Sequence, residues 1–290
     1  MSTATHPVYW TVRRELWENR SIYAAPVIVG LLEIFGFLLE SIFSRHSIGE
    51  IAAMESAQQQ MAIGAGYGAV AVPILATAIV VGALYSLDSL YSERRDRSIL
   101  FWKSLPVSDG VTVFGKALIP FAVLPVITFL AITATQVGAL LITLLDAVLA
   151  GVDVSVVLKG LPWLAMPFVA AYTLATITLW YAPLYGWLFL VSAFASRKPL
   201  LWAVLPPLAV VVVEHIAFHT ALFASVLRHR LNGFFEVAFQ VDDPHRLPFI
   251  RFDQLAPLSL LSAPGMWAGL AVGAAFFVAA TKLRRQREPN

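Results

Sequence analysis

Residues 88–116 read DSLYSERRDRSILFWKSLPVSDGVTVFGK, a polar stretch set between two strongly apolar runs. At its centre is a mixed-charge block, Glu93, Arg94, Arg95, Asp96 and Arg97, followed by the amphipathic Ile99, Leu100, Phe101 and Trp102 and a turn at Pro106. By charge content alone this is a loop that holds membrane orientation through its Lys and Arg. The flanking runs decide the fold. A bilayer core about 30 Å thick takes roughly 20 mainly apolar residues of helix, and six segments meet that requirement: residues 22–43, 64–87, 117–145, 163–194, 200–224 and 262–281.

Composition agrees with that reading. Of the 290 residues, 59% are hydrophobic and 13% charged, with a mean hydropathy of +0.76, well away from the balance of a soluble domain. The expectation is an all-α polytopic membrane protein, residues 1–290 forming one domain without internal repeat or low-complexity linker. There is no cysteine, which excludes disulfides, thiolate nucleophiles and cysteine metal sites. A net charge of +2, gathered near the span ends, argues against nucleic acid as a partner. The polar first 21 residues and the long apolar run after them do not resemble a cleavable signal peptide, so the first span is expected to act as its own insertion signal. The third and fourth segments exceed a straight crossing; Pro120 and Pro125, and Pro167 and Pro183, are expected to kink them or mark interfacial ends.

Six crossings put both termini on one side. Under that topology fourteen of the 20 Lys and Arg fall on the side of the termini and of residues 88–116, and the excess assigns that side to the cytoplasm. Residues 8–20 read as an amphipathic helix lying flat on the cytoplasmic surface. At about 100° per residue, Tyr9, Trp10, Val12, Leu16 and Trp17 share one face and Arg14, Glu15, Glu18 and Asn19 the other. Arg13 and Arg20 fall inside the apolar arc, where their cations can snorkel to headgroups.

The string ERRDRSILFWKSLPVSD, residues 93–109, resembles the loop after the second span in bacterial ABC transporter permeases of the type-2 exporter class. The likeness is confined to that string; elsewhere the chain agrees with the family in span pattern. The resemblance implies a cytoplasmic coupling helix between spans two and three that docks into a groove of a separate ATPase subunit. Arg94, Arg95 and Arg97 would pair with acidic groups there, Phe101 and Trp102 would anchor, and Glu93 and Asp96 belong to the same segment. It also implies two ATPase copies, a second permease subunit in a homodimer or heterodimer, and export by alternating access across a bacterial inner membrane. The interfacial helix, with Trp10, Arg13, Trp17 and Arg20, would share in passing the movement on. This chain would then hold no cofactor and no enzyme site, ATP and magnesium belonging to the partner. In that family the stretch before the last span often carries short helices dipping into the outer leaflet; for residues 225–261 a plain external loop is the alternative.

Other patterns were weighed against that reading. GVTVFGKA, residues 110–117, matches the phosphate-binding G-x-x-x-x-G-K-[ST] except at Ala117, which has no hydroxyl for magnesium, and no buried strand precedes it. His215 and His219 are four apart with Glu214 beside them, a spacing that would let both imidazoles face one metal, yet the carboxylate is on the wrong side of the first His for H-E-x-x-H. Polar lining or interhelical hydrogen bonding near the outer end of the fifth span is the expected role. Glu33 and Glu40 lie seven apart on one face of the first span. An acid at depth costs about 2.5 to 3.5 kcal/mol to insert and usually faces protein or a wet cavity. Glu33, Glu214 and His215 are therefore candidates to line a translocation path. The rival classes are a secondary transporter working without an ATPase and, further off, an intramembrane metal-dependent hydrolase resting on the two histidines.

Overall fold

A computed structural model describes residues 7–43, 54–96, 108–163, 165–239 and 252–286. In chain order the helices are α1 (Pro7–Glu18), α2 (Ser21–Phe43), α3 (Ser56–Ala69), α4 (Ala71–Asp88), α5 (Tyr91–Arg95) and α6 (Asp109–Leu118). A π-helical turn, Ile119–Val123, leads into α7 (Leu124–Leu149), followed by α8 (Val154–Gly160), α9 (Ala165–Trp180), α10 (Ala182–Phe194) and α11 (Pro199–Phe218). The chain continues with α12 (Leu222–Asn232), α13 (Phe234–Ala238), α14 (Pro257–Ser262) and α15 (Pro264–Gln286). Apart from an isolated antiparallel bridge between Phe239 and Leu255, the described residues contain no β-structure. Six helical stretches are long and apolar enough to cross a membrane: Ser21–Phe43, Ala62–Arg95, Asp109–Leu149, Val154–Trp180, Pro199–Phe218 and Pro264–Gln286. This is the architecture of an all-α polytopic membrane protein.

Several prolines sit at breaks or turns, while Pro26, Pro206 and Pro207 lie inside α2 and α11. Pro120 lies in the π turn, where its missing N–H is accommodated by a locally widened helix. Pro183 occupies the first turn of α10, where no intrahelical donor is required, and Pro125 directly follows the π turn as the second residue of α7. Two expected spans change shape. The fourth is not continuous over residues 163–194: it breaks at Tyr181, leaving Val154–Trp180 as the long unit and Ala182–Phe194 as a shorter apolar helix. The fifth ends at Phe218 rather than 224, because His219 takes a left-handed conformation, φ 51°, and stops the helix.

Packing is closest between α10 and α15. A Cβ on Gly186 would lie 2.8 Å from the Gly273 carbonyl oxygen, and one on Gly273 would lie 3.0 Å from the Ala182 backbone, so the small residues let the two backbones touch. By contrast α2 and α11 turn apolar side chains outward, among them Leu31, Leu32, Phe35, Val213 and Ile216. Exposed to water, such surface would cost about 25 cal/mol per Å²; against lipid it costs nothing. The described part of residues 225–261 is mainly helical; within it Phe234, Ala238, Phe239 and Leu260 are buried with Val169, Ile177, Trp180 and Tyr181, while residues 225–232 have no buried member.

Candidate functional site

The polar segment between the second and third spans begins with a reciprocal cap. The Ser192 hydroxyl accepts from the backbone N–H groups of Leu90 and Tyr91 at 2.9 and 3.0 Å, serving donors that a helix start leaves without partners. In return the Arg94 guanidinium donates to the Ser192 and Ala195 carbonyls at 2.6 and 2.8 Å. It thus places a cation at the C-terminal end of α10, where the helix dipole favours one. Short α5 is thereby fastened to the C-terminal end of α10.

Next to this cap four segments of the chain converge on a buried group of charges. Lys116 of α6 donates to Glu15 of α1 at 2.7 Å and to the Ser89 carbonyl at 2.9 Å, and its ammonium is 3.2 Å from Glu93 of α5. Arg14 bridges the same acids, 2.8 Å from Glu93 and 3.1 Å from Glu15. Arg284, near the end of α15, pairs with the other Glu93 oxygen and reaches Asp109 at 2.9 Å. The Tyr85 hydroxyl of α4 donates to Glu15 at 2.9 Å. Glu15 and Lys116 are 1% and 2% exposed, depths at which an uncompensated charge is not tolerated. Three carboxylates, Glu15, Glu93 and Asp109, face three cations, Arg14, Lys116 and Arg284, and the more exposed Glu18 lies 3.2 Å from Arg14. Burial alone would pull the Arg14 guanidinium down, but the Glu15 and Glu93 carboxylates outweigh it and hold Arg14 above its ordinary value.

Gly115 makes the convergence sterically feasible. A Cβ there would meet Thr11 Cγ2 at 2.8 Å, so only a glycine lets α1 lie this close to α6. The near match to a phosphate loop thus has a structural use: Gly115 admits α1, and Lys116 neutralises two glutamates. Among the described residues Glu15, Glu93 and Asp109 each lie within 2.9 Å of a cation, and the pairs tie α1, α5, α6 and α15 together.

Several expectations require correction. Arg94 is 3% exposed and committed to the α10 carbonyls, so in this conformation it does not present its charge to another protein. Glu93, 4% exposed, is likewise turned inward, because the cations around it come from α1, α6 and α15. Arg95 and Asp96 do face outward, with side chains 57% and 58% exposed and paired with each other at 2.9 Å. Arg97, Phe101 and Trp102 lie outside the described residues, as does most of the expected coupling helix. On α1 the polar face opposite the aromatics divides: Arg14 and Glu15 point into the protein and Glu18 stays exposed, while Tyr9, Trp10 and Trp17 are exposed on the other side. Val12 and Leu16 leave the aromatic face and pack on the core. Arg13 sits over both Trp10 and Trp17, 5.3 and 5.0 Å from the ring centroids, and Arg20 is exposed.

The candidate path residues are not brought together within this chain. Glu214 closes the corner between α11 and α12, accepting from the Thr220 hydroxyl and from the backbone of Leu222 and Phe223 at 2.7 to 2.9 Å. That is a helix cap. His215 is exposed beside it. Glu33 is half-buried on α2, which packs on α7 and α4, whereas α11 packs on α10, α12 and α4. Among the described residues no three His, Cys, Asp or Glu side chains gather to hold a metal ion.

Glu15, Tyr85, Asp109, Lys116, Ser192 and Arg284 were not singled out from sequence as members of a site. The available signal was their placement: charges of balancing sign at the same end of four predicted segments. No protein-family model, curated protein or solved structure matches the chain.

Proposed function

We propose that the chain is the membrane-spanning permease subunit of an ATP-driven ABC exporter in a bacterial inner membrane, with both termini in the cytoplasm. It would work with two copies of a cytoplasmic ABC ATPase and with a second permease subunit. ATP and magnesium would be bound and used by the ATPase; this chain would supply the path. The likeness of residues 93–109 to the coupling loop of type-2 exporters suggests the class.

One observation carries the reading furthest. The buried charges link α1, the start of the charged loop, the start of the third span and the end of the sixth into one body. A push on the loop from the cytoplasm would therefore be delivered to several spans at once, which is what coupling to an external ATPase requires. The outward pair Arg95 and Asp96, together with Arg97, Phe101 and Trp102, would meet the ATPase; Glu93 and Arg94 would transmit from inside. The exposed Trp10 and Trp17, with Arg13 and Arg20, would rest α1 on the membrane surface. Glu33 would line a path completed by the second permease subunit.

The test is reconstitution. The chain is co-purified with its ATPase and placed in liposomes, and ATP hydrolysis and substrate efflux are measured together. Charge reversal at the exposed pair, Arg95→Glu with Asp96→Arg, is expected to leave both subunits folded and to lower transport per ATP consumed. Solute movement by the purified chain alone would favour a secondary transporter and end the proposal.

A further inference from the structure

A cavity of about 380 Å³ separates α4 from α9, within the roughly 300–1,000 Å³ range of ligand sites. Its long walls run from Ala71 to Ile79 on α4 and from Met166 to Ile177 on α9, about 12 and 16 Å at 1.5 Å per residue. Phe234 of α13, its ring centroid 6.2 Å from that of Tyr181, closes the end nearer Ile177. Val72 and Ala76 line the cavity and are exposed, so it opens along the flank of α4, within a membrane-crossing stretch. A guest would enter from lipid.

The lining is short of polar groups and free of charge: among the described residues around the cavity none is ionisable at neutral pH. The Thr173 hydroxyl donates to the Val169 carbonyl and the Tyr181 hydroxyl to the Leu231 carbonyl, both at 2.7 Å. Gln136 of α7 is less fully engaged. Half-buried, it donates one amide hydrogen to the Tyr67 carbonyl at 3.3 Å, which leaves its second N–H and its carbonyl oxygen for a guest. An ion entering here would give up its hydration to walls that offer no counter-charge. An uncharged hydroxyl or amide can be matched by Gln136.

Depth gives that guest an orientation. The Tyr67 contact holds Gln136 at the Gly68 end of the cavity. Gln136 is about 30 Å beyond Lys116 along α6 and α7, and Ile79 about 21 Å from Glu93 along α4 and α5. With the buried charge junction of Glu15, Glu93 and Lys116 at one boundary of a hydrocarbon core about 30 Å thick, Gln136 stands at the level of the opposite headgroups. The Ile79 end lies deeper among apolar side chains. Polar end at the boundary and apolar end inward is how an amphiphile lies in a bilayer.

We propose that the cavity binds an uncharged single-chain amphiphile drawn from the bilayer, its chain between α4 and α9 and its hydroxyl or amide head hydrogen-bonded to Gln136. Binding needs no ATPase, so its outcome is separable from that of the coupling test.

The full chain is reconstituted in phosphatidylcholine nanodiscs, and dodecanol, dodecane, dodecanoate and dodecyltrimethylammonium are compared at equal mole fraction in the bilayer, with bound ligand read by native mass spectrometry. Dodecanol is expected to bind about fivefold more tightly than dodecane, the worth of one neutral hydrogen bond, and more tightly than either charged probe. Gln136→Leu is expected to abolish the margin over dodecane while dodecane itself still binds. Ala76→Phe, at an exposed helix position, places a ring in the cavity and is expected to weaken alcohol and alkane about tenfold. Charged probes binding as tightly as dodecanol would overturn the proposal. So would a margin over dodecane that survives in Gln136→Leu, dodecanol binding undiminished in Ala76→Phe, or a retained phosphatidylcholine that dodecanol does not displace.

Discussion

Lys116 touches two carboxylates from different parts of the chain, and the physics of buried charge sets its importance. Removing an ion from water costs several kcal/mol, which a buried network recovers only when every member is paired. Such a network adds little stability over an apolar packing of the same volume, but breaking it is costly. Lys116→Met leaves Glu15 and Glu93 short of a cation and is expected to lower stability by about 3–5 kcal/mol, read as a fall in the thermal midpoint of the detergent-purified chain. Adding Glu15→Gln should restore part of the loss. Tyr85→Phe removes a single donor to Glu15 and is expected to cost less, about 1–3 kcal/mol; a loss equal to that of Lys116→Met would mean that the phenol, not the ammonium, holds the junction. Residue type was legible here from the sequence, but pairing was not. A lone Arg94 in a charged loop reads as a surface cation, and nothing nearby in the chain announces the Ser192 and Ala195 carbonyls that take it.

At the scale of elements, α1 shows how an amphipathic pattern predicts a helix without predicting what its polar face meets. Its aromatics were expected together on one side, but the side buried in protein is the one with Arg14 and Glu15, because partners on α5 and α6 neutralise them. Docking depends on the close approach at Gly115. Gly115→Leu is expected to lift α1 from α6, seen as faster hydrogen exchange across Pro7–Glu18 while α7 and α15 stay protected, since local units open independently of the global fold. Unchanged exchange in α1 would show that the charges alone hold it. The breaks near Pro120 and Pro183, in contrast, were legible element by element, because a missing N–H acts on its own helix wherever the helix packs. The break at Tyr181 was visible only as Pro183; that the chain stops there, and that α12 and α13 settle against the break, depends on residues some 50 positions away.

For the whole molecule, sidedness is the property to test, and the absence of cysteine makes single-cysteine labelling direct. Arg95, at the end of the second span, and Leu149, at the end of the third, are both exposed. Leu149→Cys is expected to react with an impermeant maleimide applied to intact spheroplasts, and Arg95→Cys only after permeabilisation. The reverse pattern would invert the topology and remove the charged loop from any cytoplasmic partner.

The sequence by itself determined the class of architecture: apolar helices of membrane-crossing length, their number, and an expected orientation from the excess of Lys and Arg on one side. Each of these follows from the free energy of placing one contiguous segment in lipid, which needs no knowledge of its neighbours. Only the tertiary structure decided what the polar residues do. Lys116 and Glu15 are 101 positions apart and Arg284 and Glu93 are 191 apart, and a buried charge is governed by whichever opposite charge the fold carries to it. The junction, the face on which α1 lies and the cavity under α12 are all products of such long-range meetings.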